Sequence, residues 1–203
     1  PLPQWPDVGT AATEAAIASG QREILLAMAT GTGKTKTCIA LIYRLLKSGR
    51  FRRALFLVDR SELGFQAADA FKETRMESLQ SFADIYGIKE VGERDVDTDT
   101  RVHIATVQAM VQRLLLADDE SQLTVDTYDL IVVDECHRGY LLDRELSERE
   151  FRFRDFNDYV SKYRRVLQRF DAVRIGLTAT PALHTVEIFG QPVFVYSYRE
   201  AVV

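Results

Sequence analysis

Cysteine is scarce in this 203-residue chain: only Cys38 and Cys136 occur. They are too few and too poorly spaced for a disulfide framework or a zinc site. Cys136 stands between Glu135 and His137, but a metal there would need more ligands than the chain offers nearby. No apolar run approaches the length of a membrane span, and the N-terminus lacks the basic-then-apolar form of a signal peptide. No membrane partner is expected, and the expected compartment is the cytoplasm. An excess of positive charge is missing too: the formal net charge is −4. Bulk electrostatics therefore lend nothing to nucleic-acid binding, and any such contact must come from local loops. Repeats and low-complexity tracts are absent. The rest is ordinary for a globular protein, with 46% hydrophobic and 28% charged residues in a chain long enough to bury a sizeable core.

Against that background one stretch stands out. Glu23–Thr37, EILLAMATGTGKTKT, is a short apolar run followed by Thr30, Gly31, Thr32, Gly33, Lys34 and Thr35, then a helix-like segment. Such a loop turns successive backbone N–H groups inward, where they cradle polyphosphate oxygens. Glycines are needed because a Cβ would block the close approach of phosphate to backbone. Lys34 brings a charge to the β/γ-phosphates, and the Thr35 hydroxyl is suited to Mg²⁺. The following helix presents its positive dipole end to the same anion. The strict pattern has a glycine where this chain has Met28, so the match is to the core of a phosphate-binding P-loop.

The second signal lies about a hundred residues on, in YDLIVVDECH. Leu130–Val133 is continuously apolar and β-branched, as expected of a strand buried on both faces. It ends in Asp134 and Glu135, at the edge where open α/β sheets place ligands. One carboxylate there can hold a nucleotide's Mg²⁺ and its neighbour can orient the attacking water. Alone, this would be an ordinary acidic turn; after a P-loop, in this order, that plain reading loses weight.

Apolar runs alternate with helix-like segments, which predicts an α/β fold with a parallel β-sheet between helices. Strands are expected near Ile24–Ala29, Ala54–Val58, Val102–Ala105, Leu130–Asp134, Ala172–Leu177 and Val193–Tyr196. Helices are expected near Lys34–Leu46, Ser61–Arg75, Val107–Leu116, Asp155–Phe170 and Pro181–Ile188. Ser61 is the expected N-cap of its helix. Segments 78–100 and 117–127 are acidic and polar and read as surface connections. Residues 1–20 read as irregular, because Pro1, Pro3 and Pro6 oppose a regular element, with a short helix possible over Thr13–Ser19. Residues 21–203 then form one domain, with a charged helical insertion at about 138–170. In that insertion Tyr159, Tyr163, Val166, Leu167 and Phe170 fall near helical spacing and are expected to pack on the sheet.

Three more segments end strands on the same presumed edge: FLVDR, HIATVQAM and GLTATPA. The ordered set resembles the first RecA-like motor domain of superfamily 2 helicases and translocases. MATGTGKT corresponds to motif I, LVDRSELGFQA to Ia, IATVQAM to Ib, DECH to II and LTATPA to III. More narrowly, LLAMATGTGKT, VDECHRGY, the FRDFNDYVSKYRRVLQRFDAVRIGLTATPALHT run and FGQPVFVYSYREAV are similar to the restriction (R) subunit of type I restriction–modification enzymes. The resemblance covers roughly Ile24 to the C-terminus.

It implies a RecA-like P-loop NTPase domain that binds ATP and Mg²⁺ and drives translocation on double-stranded DNA. Implied partners are a nuclease domain, a second RecA-like domain, and specificity and modification subunits. No carboxylate–lysine nuclease site and no upstream Tyr-Gln adenine element are recognisable, and the chain stops at Val203 about where the second motor domain should begin. An excised fragment holding half of an ATPase site is expected, weakly active or inactive alone. On the family pattern, Lys34 and Asp134 hold Mg·ATP, Glu135 positions water, and His137 bridges to motif III. Thr178 and Thr180 relay the γ-phosphate state, while Arg60 and Thr106 contact DNA phosphates. A small kinase or GTPase would share motifs I and II. It would not be expected to carry Thr-Ala-Thr, and the Asn-Lys-x-Asp motif of GTPases is absent. A helicase-like RNA enzyme and a non-catalytic, nucleotide-dependent interaction module remain alternatives.

Overall fold

Strand by strand, side chains alternate between two apolar layers, as a period of two demands when both faces of a sheet are covered. A computed structural model describes residues 5–29, 31–75, 80–90, 93, 98–115, 123–136 and 163–196. In chain order the elements are α1 (Trp5–Ala18), β1 (Glu23–Met28), α2 (Lys34–Lys47), β2 (Ala54–Val58), α3 (Ser61–Glu73), α4 (Phe82–Ile85) and β3 (Gly87–Lys89). There follow β4 (Thr100–Thr106), α5 (Val107–Leu115), β5 (Leu130–Val133), β6 (Val173–Thr178), α6 (Leu183–Phe189) and β7 (Pro192–Tyr196). Residues 163–168 are also helical. The seven strands make one sheet in the order β3-β4-β2-β5-β6-β1-β7. Every pairing is parallel. All strands therefore end at the same edge.

Ile24, Leu26, Ala54, Phe56, Val58, Leu130, Val132, Ile175 and Leu177 face a layer completed by α1, α2 and α3. Their alternates Leu25, Leu55, Leu57, Ile131 and Val133 face a second layer with Val107 and Met110 of α5, Phe189 of α6, and Tyr163, Val166, Leu167 and Phe170. The far end of the insertion is thus core, as its helical spacing predicts; residues 138–162, including Tyr159, lie outside the described residues.

Three expectations are corrected. The N-terminal segment expected to be irregular holds a helix over Trp5–Ala18, and residues 1–4 lie outside the described residues. Pro6 falls in its first turn, where a missing N–H costs nothing. Thr10, Thr13, Ala16 and Ile17 form its buried stripe. The segment 78–100 is more than a surface connection, because it contains α4 and β3 and buries Phe82 completely. Phe82 packs edge-on against Phe71, with centroids 4.9 Å apart. Ser81 and Asp84 close a reciprocal capping box around α4. Finally, the N-cap of α3 is Arg60, with no side-chain cap bond, and Ser61 is already inside the helix.

Candidate functional site

The loop between β1 and α2 turns back on itself through two left-handed glycines, Gly31 at φ 79° and Gly33 at φ 82°. No atom lies within 4 Å of where a Cβ would stand at either, so glycine is required there by backbone conformation and leaves open space above the loop. Thr32 stiffens the turn by donating its hydroxyl to the Ala29 carbonyl at 2.7 Å. Lys34 and Thr35 open α2, whose first N–H groups have no acceptor within the helix. Thr30 lies outside the described residues.

Lys34 is buried and reaches across the strand edge. Its Nζ is 2.5 Å from Glu135 Oε1, and the two side chains are 8% and 17% exposed. Sheet order explains the meeting: β6 is flanked by β1 and β5, so the residues that follow those two strands face each other over the end of β6. There sits Thr178, fully buried and in register with Ala27. Its hydroxyl donates to the Thr180 carbonyl at 3.0 Å and accepts from the Thr180 N–H at 3.1 Å, closing the turn after the strand. Thr180 itself is exposed.

The turn after β5 is held on two sides. The Asp134 N–H donates to the Leu57 carbonyl of β2 at 3.0 Å, and the Cys136 N–H donates to the Leu177 carbonyl of β6 at 2.9 Å. Between them Glu135 has φ 48°, the one positive φ outside glycine among the described residues. That conformation is uncommon for a side-chain-bearing residue, and such residues cluster at functional sites. Asp134 Oδ1 accepts the Glu135 N–H at 2.9 Å. Burial and then the charge of Asp134 push the Cys38 thiol of α2 well up. Burial, then Asp134 and Glu135, likewise raise Cys136. Both thiols are therefore packing groups, not nucleophiles.

Arg60 and Thr106 form a second zone on the same edge. Val58, two residues before Arg60, is in register with Thr106. Arg60 Nε lies 3.8 Å from Asp59 Oδ2 and is half exposed. Thr106 has a structural duty the sequence did not reveal, since its hydroxyl accepts the Ala109 N–H at 3.1 Å and caps α5. His137 lies outside the described residues. Sequence reasoning also passed over Gly176, whose significance depends on neighbours 40 and 13 residues away.

Among the described residues no helix is long and apolar enough to cross a membrane. A family model described as the res subunit of Type III restriction enzymes matches residues 8–183. The chain is 56% identical over 192 residues to the type I restriction enzyme EcoKI endonuclease subunit of Escherichia coli (strain K12), covering 95% of this chain and 16% of that protein. It thus spans a small part of the length of that relative. Among solved structures, a fragment of an HsdR subunit of a type I restriction enzyme from Vibrio vulnificus YJ016 superposes with a TM-score of 0.63 at 23% identity, over 97% of this chain and 30% of that one. The ATP-dependent Type ISP restriction-modification enzyme LlaBIII bound to DNA gives a TM-score of 0.69 at 17% identity, over 100% of this chain and 16% of that one. At such identities the two structures speak for the fold alone.

Proposed function

The chain belongs to the family of the Type III restriction enzyme res subunit, and from that premise we propose that it is the ATP-binding half of a DNA translocase motor in a type I restriction enzyme R subunit. The reading rests most on one observation: Lys34 of motif I and Glu135 of motif II meet at 2.5 Å above the end of the strand that carries Thr178 of motif III.

The residues present fit Mg·ATP. The open side of the Gly31–Gly33 turn leaves room for phosphate against backbone N–H groups. Thr35 and Asp134 offer hard oxygen ligands, the type Mg²⁺ prefers. When bound, the metal neutralises charge on the β- and γ-phosphates. Lys34 exchanges its carboxylate partner for phosphate oxygen, which leaves Glu135 free to orient a water for in-line attack. Thr178 and Thr180, bonded to each other, respond to the position of that water and of the γ-phosphate, and on the family pattern His137 would bridge to them. The second RecA-like domain would contribute an arginine finger, worth about 10³–10⁵ in rate. Double-stranded DNA would lie along Arg60 and Thr106. The nuclease domain and the specificity and modification subunits complete the assembly, in the cytoplasm.

Calorimetry on the isolated chain tests the nucleotide. Mg·ATP and ADP should bind the wild type, and Lys34→Ala should remove most of that binding while the fold persists. Equal ATP affinity in both proteins would sink the assignment.

A further inference from the structure

We propose that Gly176 is a positioning residue for Glu135, acting through the side chain of Cys136; the inference rests on the reading of Glu135 as the group that orients water. On β6, Ile175 and Leu177 face the layer of α1–α3, so the residue between them faces the opposite layer. A strand buried on both faces would ordinarily carry an apolar side chain there. This one carries none. A methyl at Gly176 would stand 2.9 Å from Phe189 Cδ2 and 3.0 Å from Cys136 Sγ, inside the closest approach that packed carbons tolerate.

Both neighbours are buried, Phe189 completely and Cys136 to 1% exposure, and they differ in the backbone that carries them. Phe189 is fully buried at the end of α6, where the chain turns through Gly190 at φ 78°. Cys136 ends a three-residue turn whose middle residue, Glu135, has a left-handed backbone. Two N–H bonds join that turn to neighbouring strands, one of them from Cys136 to the carbonyl of Leu177, next to Gly176, and Lys34 holds Glu135 from the other side. Bulk at 176 therefore pushes on Cys136, lengthens that bond, and swings the Glu135 carboxylate away from its place opposite Lys34. Val133, the last residue of β5, is in register with Gly176, so the displacement arises level with the strand end from which the turn starts. The absence of a side chain at 176 sets where Glu135 stands.

The test compares ATP turnover and ADP binding in the whole R subunit. Gly176→Ala should lower kcat on the order of tenfold to a hundredfold, the scale of a displaced catalytic group, while ADP affinity stays within about threefold. Adding Cys136→Ala to it should recover most of the turnover, measured against Cys136→Ala alone. Adding Phe189→Leu should raise the melting temperature without recovering turnover. Recovery through Phe189→Leu and not through Cys136→Ala would overturn the proposal, as would wild-type turnover in Gly176→Ala. If Gly176→Ala does not fold, Cys136→Val presses the same contact from the other side and must lower kcat with ADP affinity retained. Glu135→Gln serves as reference: turnover in that variant would remove the role of Glu135 and the proposal with it. An inactive Glu135→Gln beside a fully active Gly176→Ala would remove the role of Gly176 alone.

Discussion

At the scale of single residues, the two carboxylates after β5 differ in surroundings and should separate in function. Glu135 is the partner of a buried ammonium, whereas Asp134 accepts the Glu135 backbone N–H. Glu135→Gln keeps a carbonyl for Lys34 but loses the charge that holds Lys34 and that repels phosphate. ATP should therefore bind as tightly as before or more tightly. Turnover in the whole subunit should fall by about 10²–10⁴, the usual contribution of a positioned acid–base group. Asp134→Asn keeps the acceptor for the Glu135 N–H, so the turn should persist while the Mg²⁺ dependence of nucleotide binding weakens. Titrations of ATP binding with and without Mg²⁺, beside steady-state turnover, distinguish the two variants. If Glu135→Gln turned over at the wild-type rate, the water would have to be oriented from elsewhere. The P-loop and the acidic pair were legible in the sequence because their chemistry is written in consecutive residues. The contact between Lys34 and Glu135 needed the strand order, which no local pattern encodes.

Among elements, strands with a sustained apolar run were the most legible. Ala54–Val58 and Leu130–Val133 are each buried throughout, and a run of apolar residues with no polar interruption says so directly. β3 escaped because three residues carry no measurable period, and its acidic flanks concealed Phe82. α1 escaped because the prolines at 1, 3 and 6 oppose a regular element, whereas a helix tolerates Pro6 in its first turn. β4 holds a further element-level device. His103 is 2% exposed; its Nδ1 lies 2.5 Å from the Tyr128 hydroxyl and its Nε2 3.1 Å from the Glu93 carbonyl. A carbonyl only accepts, so Nε2 carries the proton, and Nδ1 accepts from Tyr128. The neutral ring satisfies both partners. Burial, then the charge of Arg113, pushes the imidazole down to about 4. Because the folded value lies below the unfolded one, near 6.5, the contribution is complete above pH 6.5. It fades as pH falls toward 4, when the unfolded chain takes up a proton that the folded chain refuses. The loss amounts to about 3 kcal/mol at the acid end. Urea midpoints at pH 7.5 and pH 5 should differ more in the wild type than in His103→Gln. Equal differences would assign the acid sensitivity to other groups.

For the whole molecule, parallel strands bring every functional segment to one edge, and strand order divides that edge into two zones. Residues after β1, β6 and β5 make the proposed nucleotide zone, while those after β2 and β4 make the other, with β2 and β5 adjacent. A net charge of −4 means the second zone must attract DNA phosphate by local groups if it attracts it at all. Arg60 is a cation placed there, half exposed and 3.8 Å from Asp59. Arg60→Ala should weaken DNA binding by the whole subunit equally for unrelated sequences and lower the salt slope by about one. Asp59→Asn should act in the opposite direction, because it removes the competing carboxylate. Thr106 needs a control, since Thr106→Ala also loses the cap of α5 and about 1 kcal/mol of stability. Thr106→Ser keeps the hydroxyl acceptor and should retain both helix and affinity, while Thr106→Val, which lacks it, should lose the cap. The measurement is affinity for two unrelated duplexes across a salt series. A slope unchanged by Arg60→Ala, with Asp59→Asn equally silent, would confine these residues to helix entry and move the DNA path to another surface.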